Sequence, residues 1–323
     1  MKLAFRGVVC LVLVFVMLLN LLSLCRRAEQ SCEDGYIVEE FYAFAEVINV
    51  AQFNIHRDDL SFLITKILKD DPYLFFVKNS MSYECDLYGK VLNIYPEYSM
   101  DSNEYADAAA FCRRYLEGIL TFTDGVEDEY DRARILHDCL CINFSYDETL
   151  TSDNMYSFLR SGKGTCQGYS FTYIQLLREA GINATFAASD SMGHIWTLLE
   201  IGGEWYHADV TWDDKEQFNF TYDNFMCSDE EIKEARHENW YSPESVACEK
   251  NFLVGELKPY FEDFAHTGDV NCDGAVDVLD MILCGVRENG VDNTAFLLSA
   301  SDVNRDYIYT NEDFECIRNI ILD

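Results

Sequence analysis

One cysteine of this chain, Cys166, lies where a thiol could act as a nucleophile. It sits among small residues in the stretch SGKGTCQGYS, which begins at residue 161, and an apolar run of helical spacing follows it. The backbone amides and the dipole at the start of a helix favour the thiolate, which is the reactive form of cysteine. A nucleophilic thiol also needs a base beside it. The pattern therefore indicates thiol chemistry, provided that the fold brings a histidine to this helix.

A candidate base and its partner lie on the segment HIWTLLEIGGEWYHADVTW, which begins at His194. The pair Gly202-Gly203 predicts a hairpin with a two-residue turn. In that register His194 and Asp209 are diagonal neighbours on one face, roughly 7–8 Å apart at the backbone and within reach of a hydrogen bond. A three-residue loop would place them on opposite faces. We therefore predict that Asp209 orients His194 beside the thiol. The other histidines of the region, which are His137, His207 and His237, are predicted to be structural.

A repeat of oxygen-bearing side chains occupies the C-terminal part of the chain. The stretch DVNCDGAVDVLD begins at residue 269, and DVNRDYIYTNED begins at residue 302. Their spacing is that of an EF-hand calcium loop. The second loop has Tyr307 where glycine normally permits the sharp turn, so the first loop is the stronger candidate. The predicted calcium ligands are Asp269, Asn271, Asp273, Ala275, Asp277 and Asp280 in the first loop, and Asp302, Asn304, Asp306, Ile308 and Asp313 in the second.

Composition limits the class of protein that carries these groups. The chain has 323 residues, of which 49% are apolar, so it is long enough for more than one globular domain. Lysine and arginine number 24 against 57 aspartates and glutamates, giving a formal charge of −33. Such a field repels phosphate backbones, which argues against nucleic acid as a partner. The thirteen cysteines are odd in number and scattered, unlike a small disulfide scaffold.

The first residues of the chain read as an export segment. Basic residues precede a long apolar stretch within residues 1–28, a pattern between a signal peptide and a membrane anchor. The pattern is compatible both with cleavage of this segment and with its retention as an anchor. In either case we expect the protein to be extracellular, as a secreted or cell-surface protein.

The periodicity of apolar residues predicts helices and strands in the rest of the chain. Helical spacing dominates residues 33–129, with one strand-like passage near KVLNIYPEYS. A helix from Cys166 to about Gly181 is followed by strands near residues 184–188, 194–201 and 205–212. This order predicts an α+β domain.

Residues 130–240 resemble the bacterial transglutaminase-like domain, which has a papain-like fold. The resemblance rests on HDCLCINFSYD, GTCQGYS, GHIWTLLEIGGEWYHADVTWDD and YDNFMCSDEEI. It implies a Cys-His-Asp triad formed by Cys166, His194 and Asp209, with a thioester intermediate on peptide or amide bonds. Water as the acceptor would give a peptidase or amidase, and an amine would give acyl transfer. The backbone N–H of Cys166 and the hydroxyl of Tyr146 are candidate oxyanion donors.

Residues 268–323 resemble a type I dockerin, because DVN opens both loops and one helix follows each. This resemblance implies two Ca²⁺ ions and a cohesin module of a scaffoldin, the scaffold of a cellulosome, as the partner. The complete prediction is an α+β papain-like transglutaminase core at 130–240, with a helical N-terminal extension at 33–129, a linker at 241–267 and a small all-α calcium-binding dockerin domain at 268–323.

Two functional hypotheses follow from these patterns. The first is an exported cysteine-nucleophile enzyme that acts on a protein or peptide substrate and is attached to the cellulosome. The second is a catalytically inactive binding or structural subunit with the same fold. Reactivity of the Cys166 thiol distinguishes them, since a structural thiol is inert.

Overall fold

The computed structural model describes residues 32–215, 220–243, 245–252, 267–272, 274–288, 298–305 and 310–322. The predicted export segment and residues 253–266 of the predicted linker lie outside this part of the chain. So do three of the predicted calcium ligands, Asp273, Asp306 and Ile308. Among the residues that the structure describes, no helix has the length and apolar character needed to cross a membrane.

The chain divides between Met100 and Asp101 into two compact units. The first unit combines helices with a small antiparallel sheet of strand order β1-β3-β2. Its elements are α1 (residues 32–42), β1 (Ile48–Asn49), α2 (Arg57–Asp70), a 3₁₀ turn (Pro72–Phe76), β2 (Ser82–Cys85) and β3 (Val91–Tyr95). The strand-like passage of the sequence is β3. The segment is therefore less helical than expected, because its sheet depends on pairing between distant residues such as Asn49 and Asn93.

The second unit contains the other predicted elements. Its helices are α3 (Ser102–Leu120), α4 (Glu129–Asn143), α5 (Met155–Ser161), α6 (Cys166–Glu179), α7 (Val210–Asp213), α8 (Asp229–Glu234), α9 (Val278–Glu288), α10 (Leu298–Ser301) and α11 (Asn311–Leu322). Its strands are β4 (Ser145–Tyr146), β5 (Lys163–Gly164), β6 (Ala184–Ser189), β7 (His194–Ile201), β8 (Glu204–Ala208) and β9 (Phe225–Cys227). Because α3 belongs to this unit, the division of the structure differs from the sequence boundary placed after residue 129.

A four-stranded antiparallel sheet of order β6-β7-β8-β9 supports the second unit. The predicted hairpin register is confirmed, since Ile201 pairs with Glu204. Gly202 and Gly203 both have positive φ, of 60° and 82°, as a two-residue turn of this type requires. The third predicted strand is shorter than expected. It ends at Ala208, because Asp209 accepts a hydrogen bond from Trp212 N and begins α7.

Helix α6 packs against the sheet through β6 and β7, and against α4 and α5. Its stripe of apolar residues is buried, as the sequence predicts, and the chain leaves it at Gly181, where φ is 81°. The Ser170 hydroxyl, one turn after the start of α6, donates to the Ile195 carbonyl at 3.0 Å. This bond joins the beginning of α6 to the beginning of β7, where His194 lies.

Candidate active site

The structure brings Cys166, His194 and Asp209 together. Cys166 is the first residue of α6 and is partly exposed. His194 is the first residue of β7, and its imidazole lies near enough to the Cys166 thiol for the thiol to raise the pKa of the histidine. His194 Nε2 lies 2.6 Å from Asp209 Oδ2, so the ring nitrogen left for the thiol is Nδ1. The three residues thus lie in series, with a short hydrogen bond between the imidazole and the carboxylate and the thiol on the other side of the imidazole.

Small residues around Cys166 allow α5 to approach the start of α6. A Cβ added at Gly164 would lie 2.2 Å from a ring atom of Phe158, and one added at Gly168 would lie 2.9 Å from Phe158 Cβ. These distances are well inside van der Waals contact. The glycines of the GTCQG motif therefore serve packing, and Cys166 is the residue of the motif that offers chemistry.

The electrostatics of the histidine favour its charged form. Burial opposes protonation of His194, but the negative charge of Asp209 and hydrogen bonds to Asp209 and Cys166 outweigh it and raise the pKa to about 10. Burial likewise opposes ionisation of Asp209, yet its interactions with His194 and His237 hold the pKa of that carboxyl well below its usual value. At neutral pH the site therefore contains an imidazolium that donates to Asp209 through Nε2.

A second histidine contacts the same carboxylate oxygen. His237 Nε2 lies 2.8 Å from Asp209 Oδ2, and the His237 side chain is fully buried. The sequence treats His237 as structural, because no pattern links it to the hairpin. It follows α8 in a loop, so only the tertiary fold brings it to Asp209.

Tyr146 lies beside the same site. Strands β4 and β5 form a short parallel pair in which Tyr146 is opposite Gly164, two residues before Cys166. Partial burial and nearby negative charge at Cys166 and Glu148 raise the pKa of Tyr146. Its hydroxyl therefore keeps its hydrogen and can donate.

A cavity of about 340 Å³ opens beside the histidine. It provides room for part of a substrate and carries groups of both charges. Its lining consists of Tyr146, Glu148, His194, Thr211, Trp212, Asp214 and Lys215.

The other thiols of the described residues differ from Cys166 in their surroundings. Burial raises the pKa of Cys112, Cys141 and Cys227 to about 12, so these thiols stay protonated and are poor nucleophiles. No disulfide joins any two cysteines within the described part of the chain. Cys141 also lies beside an imidazole, that of His137, so it is the location at a helix start and the partial exposure that set Cys166 apart from these three thiols.

Two further histidines have structural roles. His137 Nδ1 lies 3.0 Å from Asp138 Oδ1, and its Nε2 lies 3.2 Å from Asp213 Oδ2, which links α4 to α7. His207 accepts a hydrogen bond from Trp196 Nε1 at Nδ1, at 2.8 Å, so its hydrogen lies on Nε2, which donates to Asp229. The structural assignments of these two residues agree with their geometry.

Two groups of side chains have ligand atoms within 4.8 Å of one another and could be considered for a metal. They are His194, Asp209 and His237, and His207, Asp229 and Cys248. In the first group both Nε2 atoms donate hydrogens to Asp209, and in the second both nitrogens of His207 have hydrogen-bond partners. We therefore describe both groups as hydrogen-bonded clusters.

The predicted calcium loops belong to the C-terminal part of the second unit. Four of the predicted ligands, Asp269, Asp280, Asp302 and Asp313, are buried. The two oxygens of Asp280 accept from the backbone N–H groups of Val270 and Asp277. Asp313 accepts in the same manner from Asn304 and Thr310. The last acidic residue of each loop thus closes its loop in the same way.

Comparison with known proteins adds a family match. Residues 119–210 match the family model of the transglutaminase-like superfamily. A solved TGase is 11% identical over 41% of this chain and 44% of its own length, with a TM-score of 0.30. A candidate protease from Parabacteroides distasonis is 16% identical over 39% of this chain and 29% of its own, with a TM-score of 0.26.

A candidate cysteine protease from Cytophaga hutchinsonii is 12% identical over 56% of this chain and 80% of its own, with a TM-score of 0.29. The present chain spans less than half the length of the first two structures. Comparison with curated proteins gives no match. The family match includes Cys166, His194 and Asp209, and residues 119–210 therefore form a transglutaminase-like domain.

Proposed function

We propose that the transglutaminase-like domain is a cysteine-nucleophile enzyme that acts on peptide or amide bonds. The observation that carries this proposal is the placement of Cys166, His194 and Asp209 in series, in which the carboxylate lies 2.6 Å from the imidazole. Nucleophile, base and orienting group are the three parts that covalent catalysis by a thiol requires. The cavity is lined by His194, so an amide substrate bound there would contact the base of this series.

The proposed reaction has two stages. The Cys166 thiolate attacks the carbonyl carbon of the substrate, and the His194 imidazolium gives its Nδ1 proton to the leaving amine, which produces a thioester. In the second stage His194 removes a proton from water or from an amine as that molecule attacks the thioester. Water yields a carboxylic acid, and a primary amine yields a new amide. Asp209 holds the imidazole in place throughout.

The tetrahedral intermediates carry a negative oxygen that needs donors. The backbone N–H of Cys166 is one candidate, since Thr165 makes no side-chain capping bond to the start of α6 among the described residues. The hydroxyl of Tyr146, a residue that β4 and β5 pair with Gly164 and that lines the cavity with His194, is the second. These two groups would bind the oxygen from different elements of the fold.

The direct test compares the wild-type chain with Cys166→Ala. Both are incubated with a casein mixture, with and without a fluorescent primary amine. Cleavage or amine incorporation that is lost in the variant supports the enzyme, and dependence on the amine separates transfer from hydrolysis. Inertness of Cys166 toward iodoacetamide at neutral pH would contradict the proposal and favour a catalytically inactive binding or structural subunit.

We further propose that residues 268–323 bind calcium and attach the chain to a cohesin module, in the manner of a dockerin. Support comes from the four buried carboxylates of the loops, Asp269, Asp280, Asp302 and Asp313, because buried negative charge is costly without a cation. The predicted single helix after each loop corresponds to α9 and α11, which pack together. Bound calcium would neutralise these carboxylates and stabilise the loops.

Helix α9 has an exposed apolar surface that a partner protein could contact. Val278, Leu279 and Ile282 are exposed apolar side chains at 60%, 45% and 54% of full accessibility. In the dockerin hypothesis these residues contact the cohesin of a scaffoldin, and the protein works outside the cell as a secreted or surface component of a cellulosome. Its substrate is then a protein or peptide within reach of that assembly.

Calorimetric titration of the chain with calcium tests the second proposal. Wild type should bind two ions, with the tighter site lost in Asp280→Asn and retained in the control Glu312→Gln. Heat changes that are the same in all three proteins would contradict calcium binding by these loops. Pull-down with type I cohesin modules, with calcium and with a chelator, tests attachment separately.

A further inference from the structure

We propose that His237 is a positioning residue of the active site, which fixes Asp209 in the orientation that His194 needs. This inference rests on the proposed thiol mechanism. The observation behind it is that two imidazoles meet at one carboxylate oxygen. His194 Nε2 and His237 Nε2 lie 2.6 Å and 2.8 Å from Asp209 Oδ2.

The hydrogen bonds of Asp209 show what His237 contributes. Because the carboxylate is ionised and has no hydrogen to donate, both imidazoles must donate to it. Within the part of the chain that the structure describes, Asp209 Oδ1 accepts one longer bond, of 3.2 Å, from the backbone N–H of Trp212. His237 therefore supplies the second short bond that holds the plane of the carboxylate. Without it, Asp209 keeps His194 and one peripheral amide, and the carboxylate can rotate away from the imidazole.

The surroundings of His237 are better suited to an apolar side chain than to an imidazole. Its ring lies between Trp212, with centroids 4.2 Å apart, and Trp196, at 4.6 Å. Within the described residues its Nδ1 is buried and has no hydrogen-bond partner. A buried nitrogen without a partner costs free energy, which a leucine or phenylalanine would avoid. The bond to Asp209 is the interaction that an apolar residue could not supply.

The backbone also pays a conformational cost to place this residue. Arg236 and Asn239, on either side of His237, have left-handed φ angles of 75° and 52°. A left-handed φ is unfavourable for a residue such as Arg236 and better tolerated by asparagine. The loop is held by His237 N, which donates to the Ile232 carbonyl at 3.1 Å, and by Asn239 Nδ2, which donates to Ser191 Oγ at 3.4 Å. Strain on both sides of one buried side chain indicates that its position matters.

The groups that face His194 come from three elements. Cys166 reaches it from α6, Asp209 from the end of β8, and His237 packs against it from the loop after α8, with ring centroids 5.8 Å apart. Glu148, Asp214 and Lys215 line the adjacent cavity. His237 is the member of this set that acts on His194 through Asp209.

The test measures the reactivity of Cys166 as a function of pH and needs no substrate. Intact protein is treated with iodoacetamide, and the tryptic peptide GTCQGYSFTYIQLLR, which contains Cys166 as its one cysteine, is quantified by mass spectrometry. His237→Leu fills the space without a donor, and His237→Gln keeps an N–H near the position of Nε2. His207→Leu is the matched control, because it removes another buried histidine that bonds an aspartate, at 2.9 Å, outside the triad.

We expect His237→Leu to move the midpoint of the alkylation profile up by about one pH unit, which slows alkylation about tenfold at pH values well below both midpoints. His237→Gln should restore most of the wild-type rate, and His207→Leu should leave the midpoint unchanged. An unchanged midpoint in His237→Leu overturns the positioning role. A downward shift of the midpoint in His237→Leu also overturns the positioning role, because it would mean that His237 only withdraws charge from Asp209. An equal shift of the midpoint in His207→Leu overturns it as well. A wild-type thiol that reacts only in the pH range of an ordinary cysteine overturns the thiol mechanism and this role together.

Discussion

His194 and Asp209 lie 2.6 Å apart, atom to atom, although fifteen residues separate them in the chain. The hairpin brings the start of β7 opposite the end of β8, and Asp209 leaves the strand there to begin α7. The carboxylate is 1% exposed, so water contributes little to its solvation. The negative charge of Asp209 is therefore compensated mainly by the imidazole, so the protonation of His194 depends on Asp209.

Replacement of Asp209 by asparagine should abolish most activity without unfolding the domain. The asparagine amide can present a donor to His194 Nε2 and so favours the wrong tautomer. We expect kcat to fall by about 10²–10⁴-fold. Turnover and thermal unfolding are measured side by side, with Asp229→Asn as the control for loss of an aspartate that bonds a histidine outside the triad. Equal loss of activity in both variants would argue against a special role for Asp209.

Tyr146 offers a second test of the mechanism. In Tyr146→Phe the ring remains and the hydroxyl is lost, so one oxyanion donor disappears. We expect kcat to fall by about 10²-fold with little change in KM. The control is Tyr156→Phe, a partly buried tyrosine on α5. A rise in KM with unchanged kcat would assign Tyr146 to substrate binding instead.

The stability of the protein should depend on His194 at alkaline pH. The folded-state pKa of His194 is about 10, above its ordinary value of 6.5, so its contribution to stability is full below about pH 6.5 and is lost as pH rises toward 10. We expect the free energy of unfolding, from urea titrations, to decrease across this range. In His194→Gln the decrease should be smaller, and an identical decrease in both proteins would contradict the raised pKa.

Gly168 should be intolerant of a side chain. A Cβ at this position would meet Phe158 Cβ at 2.9 Å. Overpacking of this kind costs about 1–3 kcal/mol, so Gly168→Ala should lower the free energy of unfolding by that amount. Gly285→Ala is the control, since none of the described residues lies within 4 Å of its added Cβ. Phe158→Leu in the Gly168→Ala background should recover part of the loss, and if it recovers none, Phe158 is not the source of the clash.

Local patterns in the sequence were sufficient for several elements of this fold. Apolar periodicity and Gly181 defined α6, and the pair Gly202-Gly203 defined the hairpin turn and its register. These features depend on residues that are close together in the chain, so a short stretch of sequence is enough to predict them. The choice of Cys166, His194 and Asp209 followed from them, together with the resemblance of the surrounding motifs to the transglutaminase-like domain.

Other features depend on contacts that no local pattern encodes. The sheet of the first unit pairs Asn49 with Asn93, and the end of β8 at Ala208 reflects the capping role of Asp209. Tyr146 reaches the site only through the parallel pairing of β4 with β5. Each of these outcomes is decided by a partner distant in sequence.

The sequence by itself determined which residues could do chemistry: a thiol at a helix start, a histidine and an aspartate on one hairpin, and two loops of oxygen ligands. Only the tertiary structure decided how these groups are held. It placed His237 from a loop after α8 against Asp209, and it buried the carboxylates of both loops. The physical reason is that hydrogen-bond geometry and burial depend on every element packed around a residue, whereas spacing along the chain depends only on its neighbours.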